Sequence, residues 1–115
     1  MSFSNPAFIV QVLTGTIFIV AGMIMLKWPP KKINGIYGYR TMSSMKSQDR
    51  WDFAQQYSAK EMIRFGTIQL MISLLSLFFN PKEGISTVIS LGLLIAFTLV
   101  LIAKTERAIK EKFVS

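Results

Sequence analysis

The side chains that could do chemistry gather in one stretch, Ile33–Tyr57, which reads INGIYGYRTMSSMKSQDRWDFAQQY. Its ionisable groups are Arg40, Lys46, Asp49, Arg50 and Asp52, with phenols at Tyr37, Tyr39 and Tyr57. Asp49 and Asp52 stand one helical turn apart, the spacing of a paired-carboxylate acid–base site. The same spacing at a helix start is a solvated pair that complements the helix dipole, and the sequence favours that reading. No glycine-rich phosphate cradle, serine–base pair or metal-ligand spacing accompanies it. The chain has no histidine and no cysteine, which excludes imidazole catalysis, thiolate chemistry, disulfides and zinc sites built from either residue. The residues therefore argue against an enzyme and call for no cofactor or metal.

Arg40 offers a different chemistry. A guanidinium recognises carboxylate or phosphate in a planar, bidentate fashion and stacks on aromatic faces. Tyr37, Tyr39 and Trp51 are near enough in sequence to build around it. Arg40 then either ties the loop to the next helix, through Asp49 or backbone carbonyls, or holds a lipid phosphate or a peptide partner.

These residues sit between long apolar blocks. Ala7–Leu26 is 20 residues without a charge, and about 20 apolar residues span a bilayer as a helix. Met1–Pro6 lacks the basic residues of a signal peptide, so the first block is expected to be retained as a span. Gln11, Gly15 and Gly22, with Thr14 alongside, form a small and polar stripe that suits helix–helix contact. Trp28 and two prolines close this span at the interface. Ile33–Ser47 should be a structured loop around Gly35 and Gly38, and Ser47 a helix N-cap. From Gln48 an amphipathic, interface-lying helix is expected to run into a second span, 62–79. Arg64 lies within that span, and is expected to reach the headgroups and pair with Glu61 or, alternatively, to face a polar cavity with Gln69. Gln69, Ser73 and Ser76 suit a second seam. A tight turn at Asn80–Gly84 leads to a third span, 85–103, and an amphipathic basic tail, 104–115.

The expected fold is thus an all-α membrane protein: three transmembrane helices, with a structured cytoplasmic segment (27–61) between the first and second spans. Of the 13 Lys and Arg residues, eight lie between Lys27 and Arg64, four follow Ala103, and Lys82 alone falls on the other side. The positive-inside rule then puts the N-terminus outside and the C-terminus in the cytoplasm. This distribution accounts for the formal net charge of +7 without nucleic acid, and it favours anionic headgroups as neighbours. Polar stripes on all three spans permit a self-contained bundle or a homo-oligomer.

The ordered motif resembles the SdpI family of bacterial integral-membrane immunity proteins. Asn34, Gly38, Tyr39, Arg40 and Thr41 supply its first part, Ser44, Met45 and Lys46 its middle, and Asp49, Trp51 and Ala54 its end. Met42 departs mildly, where a proline or basic residue is common. The resemblance implies non-catalytic protection against a membrane-active peptide toxin, with the motif residues binding a ligand or partner. It also implies a signalling alternative, in which the cytoplasmic face recruits a soluble regulator. A small transporter fits size alone, since an ionisable residue inside a span is found only at Arg64.

Overall fold

The computed structural model describes residues 6–78 and 83–113. It consists of α1 (Pro6–Lys27), α2 (Gln48–Ser76) and α3 (Glu83–Lys112), with no strand among the described residues. The expected turn at Asn80–Gly84 falls mostly on residues 79–82, outside the described ones.

Helix bounds follow from local chemistry. Pro29 and Pro30 prevent α1 from continuing, and Trp28 N–H still donates to Ile24 O at 2.7 Å. Ser47 is the N-cap of α2, its extended backbone presenting the hydroxyl to Arg50 N–H at 3.2 Å. No proline interrupts Gln48–Ser76, so the expected interfacial helix and the segment 62–76 form one uninterrupted helix of 29 residues, about 43 Å long. The basic tail likewise prolongs α3 as far as Lys112.

Side-chain pairs give the topology. Gly15 meets Gly66, and Gly22 meets Ala59, so α1 and α2 are antiparallel. Phe65 stacks near Phe97, and Phe53 near Phe113, so α3 is antiparallel to α2 and parallel to α1. The α1–α2 seam is the closest. A Cβ at Gly66 would lie 2.6 Å from Gly15 O and 2.6 Å from Ile19 Cγ1, and one at Gly22 would lie 2.6 Å from Ala59 O. The helices approach to backbone contact because these positions carry no side chain. Thr14 and Gln69 bond across the same seam.

Polarity is inverted relative to a water-soluble bundle. Gln11, Ser58, Gln69, Ser73, Ser86, Ser90 and Thr105 are buried, whereas Leu13, Ile17, Val20, Val88, Ile95 and Leu99 are exposed. In water such a surface would be a contiguous aggregation-prone patch; in hydrocarbon it is matched to its solvent. Two helical stretches, Phe8–Lys27 and Gly84–Lys112, are long and apolar enough to cross a membrane. The charges of α2 all lie between Asp49 and Arg64, which leaves Phe65–Ser76 uncharged.

Replacing Gly66 with Ala should therefore destabilise the bundle by about 1–3 kcal/mol, the usual range for overpacking. Gly92→Ala should be neutral or slightly stabilising, since nothing lies within 4 Å of a Cβ there. Thermal unfolding in detergent micelles measures both. Equal effects would mean that the seam is not closely packed.

Candidate functional site

The segment from Trp28 to Ser47 has no helix or strand, so side chains must satisfy much of its backbone. Trp51 on α2 is fully buried and donates its indole N–H to Pro30 O at 2.6 Å. Gln48 donates its amide to Lys31 O at 2.6 Å. Asn34 accepts from the backbone N–H groups of Ile36 (2.9 Å) and Tyr37 (2.7 Å), folding the chain into an Asx turn. Tyr37 closes the turn by donating its hydroxyl to Trp28 O at 2.8 Å.

Gly38 is the pivot. Its φ of +103° is open to glycine at little cost, and a Cβ there would lie 2.5 Å from Gln55 Oε1 and 2.7 Å from Pro30 Cγ. This lets the loop pass against α2, where Gln55 grips the next residue from both sides. Its Oε1 accepts from Tyr39 N–H at 2.7 Å, and its Nε2 donates to Tyr39 O at 2.7 Å. Thr41 and Ser44 then exchange backbone-to-hydroxyl bonds of 2.9 and 3.2 Å, forming a small reciprocal cap, with Ser44 fully buried.

The far wall is α3. Glu106 accepts hydroxyl bonds from Tyr39 (2.6 Å), Thr41 (2.9 Å) and Ser43 (2.6 Å). Glu106 lies beyond the uncharged run that ends at Ala103. Burial pushes its carboxyl up, but the hydroxyls of Ser43, Tyr39 and Thr41 together outweigh that and hold it below its usual range. Burial, then the Glu106 bond and charge, raise the Tyr39 phenol far above its usual value, so Tyr39 is a neutral donor.

The motif residues thus divide into two sets. Asn34, Gly38, Tyr39, Thr41, Ser44 and Trp51 are engaged in a clasp that folds the loop onto α2 and α3. Arg40, Met45, Lys46 and Asp49 are exposed. Arg40 donates to Gly35 O within the loop itself, a backbone-carbonyl bond that does not reach α2. Asp49 and Asp52 are both solvent-facing, with Asp52 accepting from Gln48 at 2.8 Å. Arg50 is buried beneath the Phe113 ring, 5.6 Å from its centroid.

Arg64 and Gln69 are not brought together. Arg64 points outward, 63% exposed at its side chain, and pairs with Glu61 at 3.2 Å. Gln69 is fully buried in the α1–α2 seam. Sequence reasoning overlooked Gln55 and Glu106, and gave Glu61 only one of its roles. Buried Glu61 also accepts from Lys104 at 3.1 Å, joining α2 to α3. The available signal for Glu106 was weak, since it is one of two acids in the basic tail, and its three hydroxyl partners are more than 60 residues away in sequence.

Because the folded Glu106 carboxyl titrates below its ordinary value, its stabilisation is complete above that value and is lost as pH falls through the folded one. Glu106→Gln should lower stability at neutral pH by about 1–2 kcal/mol, allowing for partial solvent exposure, and should flatten the loss at acid pH. Trp51 fluorescence in a Trp28→Phe background reports the loop directly. An unchanged acid limb in Glu106→Gln would exclude this carboxylate as the latch.

Comparison with known proteins fits this architecture. The model of the SdpI/YfhL protein family matches residues 31–104, which begin in the loop and include all of α2 and most of α3. The protein named uncharacterized protein YfhL, from Bacillus subtilis (strain 168), is 38% identical over 96 residues, covering 84% of this chain and 82% of that one. No solved structure matches. With the family model covering well over half of its length, this chain belongs to the SdpI/YfhL protein family.

Proposed function

We propose that this chain is an integral-membrane immunity-type protein. It gives resistance to a membrane-active peptide toxin without catalysis, by binding the toxin or the membrane site that the toxin attacks. The family match over 31–104 carries this reading, and the apolar exterior of α1 and α3 supports a bilayer location.

In this reading all three helices cross the membrane. The charged part of α2, up to Arg64, lies at the inner headgroups, and its uncharged run from Phe65 enters the hydrocarbon. Fifteen residues, Phe65–Phe79, are short for a full span; Arg64 and Glu61 then sit where a cation can reach the interface. The clasp lies on the cytoplasmic side. Its task is to fix the spacing of the three helices, whose apolar flanks are the surfaces an inserted peptide meets.

The absence of cysteine makes the orientation directly testable. In intact cells a membrane-impermeant maleimide should label Lys82→Cys and spare Lys46→Cys. Labelling of Lys46→Cys alone would invert the topology. For function, deleting the gene should sensitise cells to at least one member of a panel of membrane-active peptides, and the wild-type chain should restore resistance. Unchanged sensitivity across the panel contradicts the immunity reading.

A further inference from the structure

The clasp consumes nearly every polar group of the Gly-Tyr-Arg-Thr segment, yet it leaves one strong recognition group facing outward. Tyr39 and Thr41 turn their hydroxyls inward to Glu106. Arg40 between them is exposed. The ion pairs among the described residues are Arg64–Glu61, Lys104–Glu61 and Arg107–Glu111, so Arg40 has no carboxylate partner there. Its bond to Gly35 O uses one donor and steadies the guanidinium, leaving most of the planar fork unused.

Beside this fork lies a cavity of about 400 Å³, lined by Gly35, Gly38, Tyr39, Arg40, Thr41 and Ile102. Two features suit it to an amphiphilic anion. Its wall is low at Gly35, where nothing lies within 4 Å of a Cβ position. Its apolar side is Ile102, partly exposed and next to the end of the uncharged run of α3. The cavity therefore carries a guanidinium on one side and hydrocarbon on the other, where apolar helix gives way to charged helix. No acid lines the cavity, and Glu106, which Tyr39 and Thr41 contact, has both oxygens bonded to hydroxyls.

The geometry points to a single phosphate-binding site at Arg40, its ligand the phosphate of an anionic phospholipid headgroup. The guanidinium holds the phosphate oxygens through two N–H groups, and the glycerol and first acyl carbons lie along Ile102. This differs from the diffuse attraction of a basic surface, because it depends on one planar group and one opening. The site rests on the membrane placement proposed above and not on immunity. A chain that binds the lipid but protects against no peptide leaves it standing.

The test uses the full chain in neutral maltoside micelles, with native mass spectrometry counting bound molecules. Dihexanoyl phosphatidylglycerol and inorganic phosphate are titrated separately. The lipid should bind saturably at one molecule per chain. Arg40→Gln should weaken it about tenfold or more, and Arg40→Lys should weaken it less, because Lys keeps the charge but loses the fork. Lys110→Gln removes an exposed cation away from the cavity and should change nothing. Gly35→Val narrows the opening without touching the clasp, so it should weaken lipid binding while the thermal midpoint stays put. Saturation by inorganic phosphate with the same Arg40 dependence would support the phosphate site and make the free anion a source; no such saturation supports the lipid headgroup. Three results overturn the proposal: no saturable binding of either probe, equal losses in Arg40→Gln and Lys110→Gln, or undiminished binding in Gly35→Val.

Discussion

Three hydroxyl groups converge on the carboxylate of Glu106, and the order of the long interhelix loop depends on that convergence. Tyr39, Thr41 and Ser43 lie within five consecutive residues, and one acid on α3 satisfies them all. Hydrogen bonds to a charged acceptor are about twice as strong as neutral ones, and here they also tie the loop to a helix distant in sequence. Gln55 does the complementary work from α2, pairing with both backbone groups of Tyr39 as a neighbouring strand would. Between these two anchors the loop has little freedom, and Gly38 supplies the one backbone conformation that admits both.

A second constraint acts further along the bundle. Because the exterior of the helices is as apolar as lipid, burial of hydrocarbon cannot hold α1 to α2. Close backbone approach and buried polar contacts take over that role. Gly15, Gly22 and Gly66 remove the side chains that would keep the helices apart. Thr14 and Gln69 add a polar contact across the seam. The clasp at one end and the glycine seam along the axis together set how the helices stand, and with them the apolar surface presented to the membrane.

Much of this was legible in the chain before its structure. Helix bounds followed from uncharged runs, from Pro29 and Pro30, and from Ser47 as a cap. The seam was visible as the stripe of Thr14, Gly15 and Gly22, because small residues at helical spacing have few other uses in hydrocarbon; Gln11 of the same stripe donates to Ser90 O on α3 instead. The pairing of Arg64 with Glu61 could be read from their separation of three. What could not be read was which motif residues face inward. Tyr39 and Thr41 carry the same chemical groups whether they bind a ligand or the protein, and their bonds to Glu106 on a distant helix leave no trace in the local sequence. Arg50 shows the same limit: a charge beside an N-cap reads as surface, yet Phe113 and the loop cover it.

The central claim is that the loop is a folded clasp and not a flexible connector. Hydrogen exchange on the full chain in lipid nanodiscs tests it most directly. The amides of Tyr39, Thr41, Ser44 and Met45 all donate within the fold, to Gln55 Oε1, Ser44 Oγ, Thr41 Oγ1 and Thr41 O. They should exchange as slowly as the first turns of α2, at a rate set by opening of the clasp. Exchange of all four at the rate of an unstructured peptide, with α2 still protected, would contradict the account.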